Sequence, residues 1–366
     1  MNEQHIGYLI DVDFDRGGAP ISTKILAEEI KKYFEVSVIK PYNPQEGIQQ
    51  FEVIPIRGST DRVPYMLLHP IKWLRMCCRL DEIIRTSNFQ ILHAHMPNVG
   101  MALGLLRMTG RIGTETRLVY TDREHVACLR WIHKIRYKFF IGRQFDAVVT
   151  LSETSLNYWR NTVRTATVCK IYNTASDEFE NYDFKKMHFS PLRVIMVGRI
   201  VSDKGWSLAV DIVKKAPQYQ YTLVMSYFDE EQRKEADILI KDVKDYPNVT
   251  VHFNLALKDV KMLYRQQDIL VMTSERESFG RTAVEAMSQG CAVIGTRVGG
   301  LPEVIGKPEN CLLRNVEAFC DRLYYYANNA DDLEMDKHFF YEKYIENFSM
   351  SKNIERHKAL YLSLID

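Results

Sequence analysis

Two glutamates, Glu277 and Glu285, stand eight positions apart around the turn Ser278-Phe279-Gly280. Between them, Arg281 to Val284 begin an apolar-periodic stretch that reads as a helix. A helix N-terminus presents unpaired backbone N–H groups and the positive end of its dipole, which suits a phosphate. Flanking carboxylates accept hydrogen bonds from hydroxyl-rich ligands such as sugars. An apolar strand, Ala292 to Gly295, and the loop Val298-Gly299-Gly300 follow. Two glutamates near a helix start are, by themselves, also what the dipole favours on any surface. The glycine turns on either side make the segment a candidate binding site.

Eighty residues upstream, Val197-Gly198-Arg199 closes an apolar run, and Lys204-Gly205 follows after a short polar loop. Two cations at a tight turn stabilise the charge that develops on a departing diphosphate. The alternative is a solvated loop ahead of the amphipathic helix 206–215.

In the first half, Asp11-Val-Asp13-Phe-Asp15 leads into Gly17-Gly18-Ala19-Pro20 after the strand Ile6 to Ile10. The glycines permit close backbone approach, and proline suits a first helical turn. Asp-x-Asp spacing raises a metal site, but no second ligand cluster accompanies it, so solvation of a strand end is the simpler account. His93-Ala-His95 ends the strand Gln90-Ile-Leu92, and Arg123 and His125 follow the strand Leu118 to Tyr120.

These groups need a frame in which strand ends gather. Short apolar runs alternate with amphipathic helical stretches throughout, the mark of parallel α/β sheets. The alternation restarts at Leu192-Arg-Val-Ile-Met-Val197. Polar residues separate the two series, and the chain beyond about 315 reads as wholly helical. The organisation expected is a first Rossmann-like domain over 1–174, a linker over 175–190, a second over 191–345, and a C-terminal helix over 346–366. In open α/β sheets, ligands bind at the carboxyl ends of the strands.

The Glu277–Gly290 segment, together with Arg199 and Lys204, resembles the donor-binding signature of family-4 retaining glycosyltransferases, the glycosyl transferases of group 1. That resemblance implies the GT-B fold, two Rossmann-like doubly wound domains facing a central cleft, with the C-terminal helix over 346–366 crossing back to the first. It also implies retaining transfer of a hexose or N-acetylhexosamine from a nucleotide sugar, a UDP-sugar being favoured. By the same resemblance, Arg199 and Lys204 hold the diphosphate, Glu277 contacts the donor sugar, and Glu285 holds the ribose. Phe279, Gly280 and Arg281 offer backbone N–H groups, and Gly17 and Gly18 form the glycine loop of the first domain. Relatives carry Thr-x-His where Thr121-Asp-Arg123 stands, so either His125 or Arg123 takes that catalytic-loop position. His95 and Arg123 are candidates on the acceptor side. Asn254 stands where a glycine is common, after the strand Val249 to Phe253. The nucleotide sugar is a co-substrate; no cofactor and no metal are expected. The competing readings are a nucleotide-sugar epimerase and a non-catalytic GT-B partner in a glycosylation complex.

Composition bounds the partners. At 366 residues, with net charge +1, the chain fits a two-domain globular protein and does not offer a general nucleic-acid surface. Seven cysteines with no Cys-x-x-Cys give no zinc framework and suit a reducing compartment. No secretory signal or membrane span is read, so a cytoplasmic location is expected. Residues 128–145 nevertheless hold five Lys/Arg and no acid, interleaved with aromatic and aliphatic residues, and 69–85 adds Lys72, Trp73, Arg75 and Arg79. Such segments either pack an apolar stripe on a sheet or lie on an anionic membrane. The second choice points to a lipid-linked glycan or cell-wall polymer precursor as acceptor.

Overall fold

The computed structural model describes residues 4–14, 18–41, 51–56, 63–124, 126–163, 165–175, 179 and 190–366. The chain divides into two compact units, residues 1–172 with 353–366, and residues 173–352. The division therefore falls at Tyr172, two residues before the expected 174. The first unit is discontinuous, because the helix Met350–Ile365 returns to it.

The first unit is built on a seven-stranded parallel sheet. Its strands are β1 (His5–Leu9), β2 (Glu35–Pro41), β3 (Glu52–Ile56), β4 (Ile91–Ala94), β5 (Arg117–Asp122), β6 (Ala147–Thr150) and β7 (Thr167–Lys170). Their spatial order is β3-β2-β1-β4-β5-β6-β7. The central strands β1, β4 and β6 are buried along their whole length, which is why they read as continuous apolar runs. Pro55, which has no N–H for a ladder, sits in the edge strand β3. Helices Pro70–Thr86, Pro97–Met108 and Trp131–Phe140 share one core with Trp159. Gly104 makes their packing tight, since a Cβ there would lie 2.1 Å from the Phe140 carbonyl oxygen.

The second unit carries six parallel strands: β8 (Arg193–Arg199), β9 (Gln220–Ser226), β10 (Val249–Phe253), β11 (Ile269–Met272), β12 (Ala292–Thr296) and β13 (Cys311–Leu312). The order is β10-β9-β8-β11-β12-β13. Its helical end is tied to the sheet by a buried ion pair. Lys337, in the helix Ala330–Lys343, donates to Asp268 at 2.7 Å and to Glu334 at 3.0 Å. The second Asp268 oxygen accepts from the Arg193 N–H at the start of β8. In both units the crossovers lead from strand to parallel strand, so the loops read as functional gather at the carboxyl edges.

Candidate active site

The site in the second unit grows from the ends of β8 and β11. After Arg199, a single turn, Ser202–Lys204, ends at Gly205 with φ of +65°. A side chain at 205 would be strained by that φ, and its Cβ would lie 2.1 Å from the Thr273 carbonyl oxygen. The turn is thus pressed onto the loop that leaves β11. Thr273 Oγ1 donates to the Lys204 carbonyl at 3.0 Å, and the Glu275 N–H donates to the Asp203 carbonyl at 2.7 Å. This clamp sets the Lys204 ammonium 2.6 Å from a Glu277 carboxylate oxygen. Both side chains are part-buried, so the pair is only partly screened. A small hollow lined by Val197, Met272, Thr273 and Ser274 lies beside Lys204. Ser274 is itself buried, its carbonyl accepting from Thr296 Oγ1 at 2.6 Å.

Gly280, with φ of +100°, starts the helix Arg281–Ser288. Glu285 is buried one turn in and accepts from Arg281 Nε at 2.9 Å. Burial raises its pKa above the ordinary glutamate value, against the opposing charges of Arg281 and Lys204. The Phe279 side chain is core, edge-on to Phe348 at 5.8 Å, so only its backbone is available to a ligand.

The Gly299-Gly300 loop has a structural task. Gly299 has φ of +53°, and a Cβ on it would lie 1.8 Å from the Glu277 carbonyl oxygen. That oxygen accepts from the Gly300 N–H at 2.9 Å. The loop is therefore the backbone bed on which Glu277 rests.

Arg199 is exposed, with its guanidinium 5.8 Å from the centre of the Phe228 ring. Beside it, Tyr227 and Phe253 meet edge-on at 6.0 Å, and Arg233 stacks over Phe253 at 4.2 Å. Motif spacing gives no sign of this aromatic and cationic group at the ends of β9 and β10. Its only linear trace is Tyr227-Phe228 directly after a strand. Asn254 has φ of 49°, the left-handed region that its family counterpart, glycine, adopts freely. Its Oδ1 accepts from the Tyr227 N–H at 2.9 Å, so the asparagine keeps the turn and also fixes the aromatic loop.

In the first unit, Gly17, Asp15 and His125 lie outside the described residues, and Gly18 begins the helix Gly18–Ile30. Asp11 accepts from the Asn98 and Val99 N–H groups and from the Asn98 amide, at 2.8–2.9 Å, and so caps the helix Pro97–Met108. Burial pushes its pKa up to about 6 in spite of those bonds. Asp13 pairs with buried Lys40 at 2.6 Å. Among the described residues, no group of three or more His, Cys, Asp or Glu could hold a metal ion.

His93 and His95 stack with ring centres 4.0 Å apart and are fully buried. His93 uses both ring nitrogens, on Tyr361 Oη and Thr121 Oγ1, each at 2.7 Å. It is a structural residue. Arg123 Nη2 donates to His95 Nδ1 at 3.3 Å, which places the imidazole proton on Nε2. That Nε2 has no hydrogen-bond partner among the described residues. Burial holds the pKa of both histidines well below the ordinary value, and the Arg123 charge adds to it.

This arrangement has relatives. The family model "Glycosyltransferase Family 4" matches residues 16–178, and "Glycosyl transferases group 1" matches residues 179–339. The chain belongs to the family-4, group 1 glycosyltransferases. An uncharacterised 41.2 kDa protein of the cps region of Klebsiella pneumoniae is 32% identical over 255 residues, 64% of this chain and 68% of that one. One component of the human phosphatidylinositol N-acetylglucosaminyltransferase is 28% identical over 257 residues, 67% of this glycosyltransferase and 51% of the human chain. Among solved structures, the sucrose-phosphate synthase of Thermosynechococcus elongatus aligns with a TM-score of 0.79 at 17% identity, over 99% of both chains. Anabaena HepE in complex with UDP-glucose aligns with a TM-score of 0.74 at 16% identity, over 99% of this chain and 100% of that one. The two sheets are thus those of the GT-B fold.

Proposed function

We propose that this glycosyltransferase moves a hexose or N-acetylhexosamine from a nucleotide sugar to a glycan, lipid-linked or cell-wall polymer acceptor, with retention at the anomeric carbon and without a metal. The observation that carries the reading is the Lys204–Glu277 pair, clamped beside the helix that starts at Gly280 and holds buried Glu285. In this reading Lys204 and Arg199 take the diphosphate, while Glu277 accepts from a donor-sugar hydroxyl and orients Lys204. Backbone N–H groups at Phe279, Gly280 and Arg281 add to the anion site. Glu285, held by Arg281, receives the ribose hydroxyls, and the group around Tyr227, Phe228 and Phe253 offers a face on which a base can stack. A UDP-sugar is the favoured donor; a fold neighbour, Anabaena HepE, was solved with UDP-glucose.

In the transfer, the bond from the anomeric carbon to the diphosphate oxygen breaks, and a bond to the acceptor oxygen forms on the same face. The acceptor proton passes to the departing phosphate oxygen. The protein supplies position and charge stabilisation in place of a covalent nucleophile. Of the two candidates for the catalytic-loop position near the donor sugar, His125 is favoured and Arg123 is the alternative. On the acceptor side His95, whose Nε2–H is a buried donor, is oriented by Arg123.

The test is nucleotide release, in EDTA, from a panel of UDP-, GDP- and ADP-sugars with and without oligosaccharide and polyprenyl-linked acceptors. Release from one donor that depends on acceptor and is lost in Glu277→Ala supports the reading. Epimerisation without acceptor supports the epimerase. Silence across the panel with no nucleotide binding overturns the donor site.

A further inference from the structure

The end of β5 carries a polar arrangement that the donor site does not use. Four consecutive residues, Thr121 to Glu124, each make a side-chain hydrogen bond to another part of the first unit. Thr121 Oγ1 meets His93 Nε2, in β4, at 2.7 Å. Asp122 is buried and accepts from Ser155 Oγ and, at 2.9 Å, from Trp159 Nε1, both in the helix Glu153–Arg160. Arg123 Nη2 donates to His95 Nδ1 at 3.3 Å. Glu124 accepts at 2.5 Å from Tyr137 Oη, in the helix Trp131–Phe140.

Strand alternation sets the directions of these side chains. Along β5, Leu118 and Tyr120 lie in the core that also holds Tyr137 and Trp159, and Asp122, two residues further, points the same way. Thr121 turns to the opposite face, where His93 receives it. The strand end is therefore gripped from both faces of the sheet.

Asp122 is the hub of the arrangement. Ser155 and Trp159 stand one helical turn apart and donate to the same oxygen, Oδ2. Both carboxylate oxygens accept from the Val126 N–H, at 3.2 Å each, which ties the far end of the loop back to the strand. Each of these partners is a neutral donor, and a carboxylate, which only accepts, suits all of them. Keeping that carboxylate buried costs desolvation that an apolar residue would avoid. A plain connection from strand to helix has no need of it. Catalysis does, because a misplacement of about 1 Å in a reacting group can cost about 10²-fold in rate.

We propose that Asp122 is a positioning residue of the transfer reaction, fixing the backbone of the catalytic loop so that the group offered to the donor sugar, Arg123 or His125, is held in place before the substrate arrives. This rests on the reading that the loop after β5 borders the donor sugar, and it adds Asp122 with its two donors, Ser155 and Trp159, which act only through the loop.

The experiment compares the full chain with its Asp122→Asn, Ser155→Ala and Trp159→Phe variants, each assayed well below its melting temperature so that every chain is folded. Turnover uses the nucleotide sugar that the donor panel selects, and binding uses the matching nucleoside diphosphate. Asp122→Asn is expected to lower kcat about 10²-fold, and Ser155→Ala and Trp159→Phe about threefold to tenfold each. The donor KM and the diphosphate Kd should stay within about twofold of the parent. Hydrogen exchange at the Val126 amide should quicken in Asp122→Asn while the amides of Leu118 to Tyr120 stay protected. A bond that only supports the fold would lower the melting temperature and leave kcat unchanged, and that outcome overturns the proposal. So does a donor KM that rises in step with the loss of kcat, or a Val126 amide that exchanges as in the parent. Should Asp122→Asn fail to fold, Ser155→Ala carries both readouts. If no nucleotide of the panel binds, the donor reading falls instead, and exchange at Val126 still decides whether Asp122 fixes the loop.

Discussion

Of three residues assigned to the donor, two are expected to fail together and the third differently. Lys204 and Glu277 form one unit through their 2.6 Å contact. Lys204→Met and Glu277→Ala are each expected to cost about 10²–10³ in kcat/KM, and the double variant little more than the worse single one. A steady-state double-mutant cycle reads this directly; strict additivity would mean that the two act separately. Glu285 is different, since its pKa is raised by burial. It takes up a proton at higher pH than an ordinary glutamate, so the KM for the donor should climb on mild acidification while Glu285→Gln keeps a flat, already elevated KM. Profiles that rise in parallel would remove Glu285 from the ribose contact. Sequence made these residues legible because motif spacing survives as contact. It did not show that Gly299 and Gly300 serve the Glu277 carbonyl, because a backbone-to-backbone approach across 22 residues leaves no local pattern. Nor did it explain Asn254, whose positive φ and bond to Tyr227 follow from the turn that β10 must make.

At the scale of elements, the ties between helices and sheets are polar and buried, which makes them sensitive. Lys337→Met leaves Asp268 as an uncompensated buried charge and should cost about 3–5 kcal/mol in urea unfolding; a loss under 1 kcal/mol would mean that water reaches Asp268. In the other unit, Tyr361 bonds His93 at 2.7 Å and Tyr8 at 2.8 Å. Tyr361→Phe should therefore destabilise by about 1–3 kcal/mol. The central strands and crossover helices were readable as apolar runs and 3.6-residue periods. β13 was not, because two residues carry no period. His93, at the end of the same strand as His95, is closed to a ligand for a reason invisible in sequence: the helix Met350–Ile365 takes its ring nitrogen.

For the molecule as a whole, three buried histidines set a pH dependence. His93 and His95 are held well below the ordinary value, and His357 is lowered to about 4, in each case mainly by burial. The folded chain thus binds fewer protons than the unfolded chain between pH 4 and 6.5. Their contribution is fully present above about pH 6.5 and is lost as pH falls, by about 1.4 kcal/mol per pH unit for each linked proton. Asp11, raised to about 6, and Glu285, also raised by burial, act in the opposite direction, but they are two groups against three. The melting temperature should fall between pH 7 and pH 5, less steeply in His357→Asn. A flat profile would show that these rings are hydrated.

The return of residues 353–366 to the first unit has a consequence for biogenesis. Strands β1 to β7 leave the ribosome first, yet Tyr8 and His93 receive their partner Tyr361 only after the 180 residues from Asn173 to Lys352 have been made. At about 5–20 residues per second that interval lasts roughly 10–35 s. The second unit, contiguous in the chain, can close during translation while the first still waits with part of one sheet face uncovered. A nascent chain stalled before 353 should therefore engage holdase chaperones through its older half.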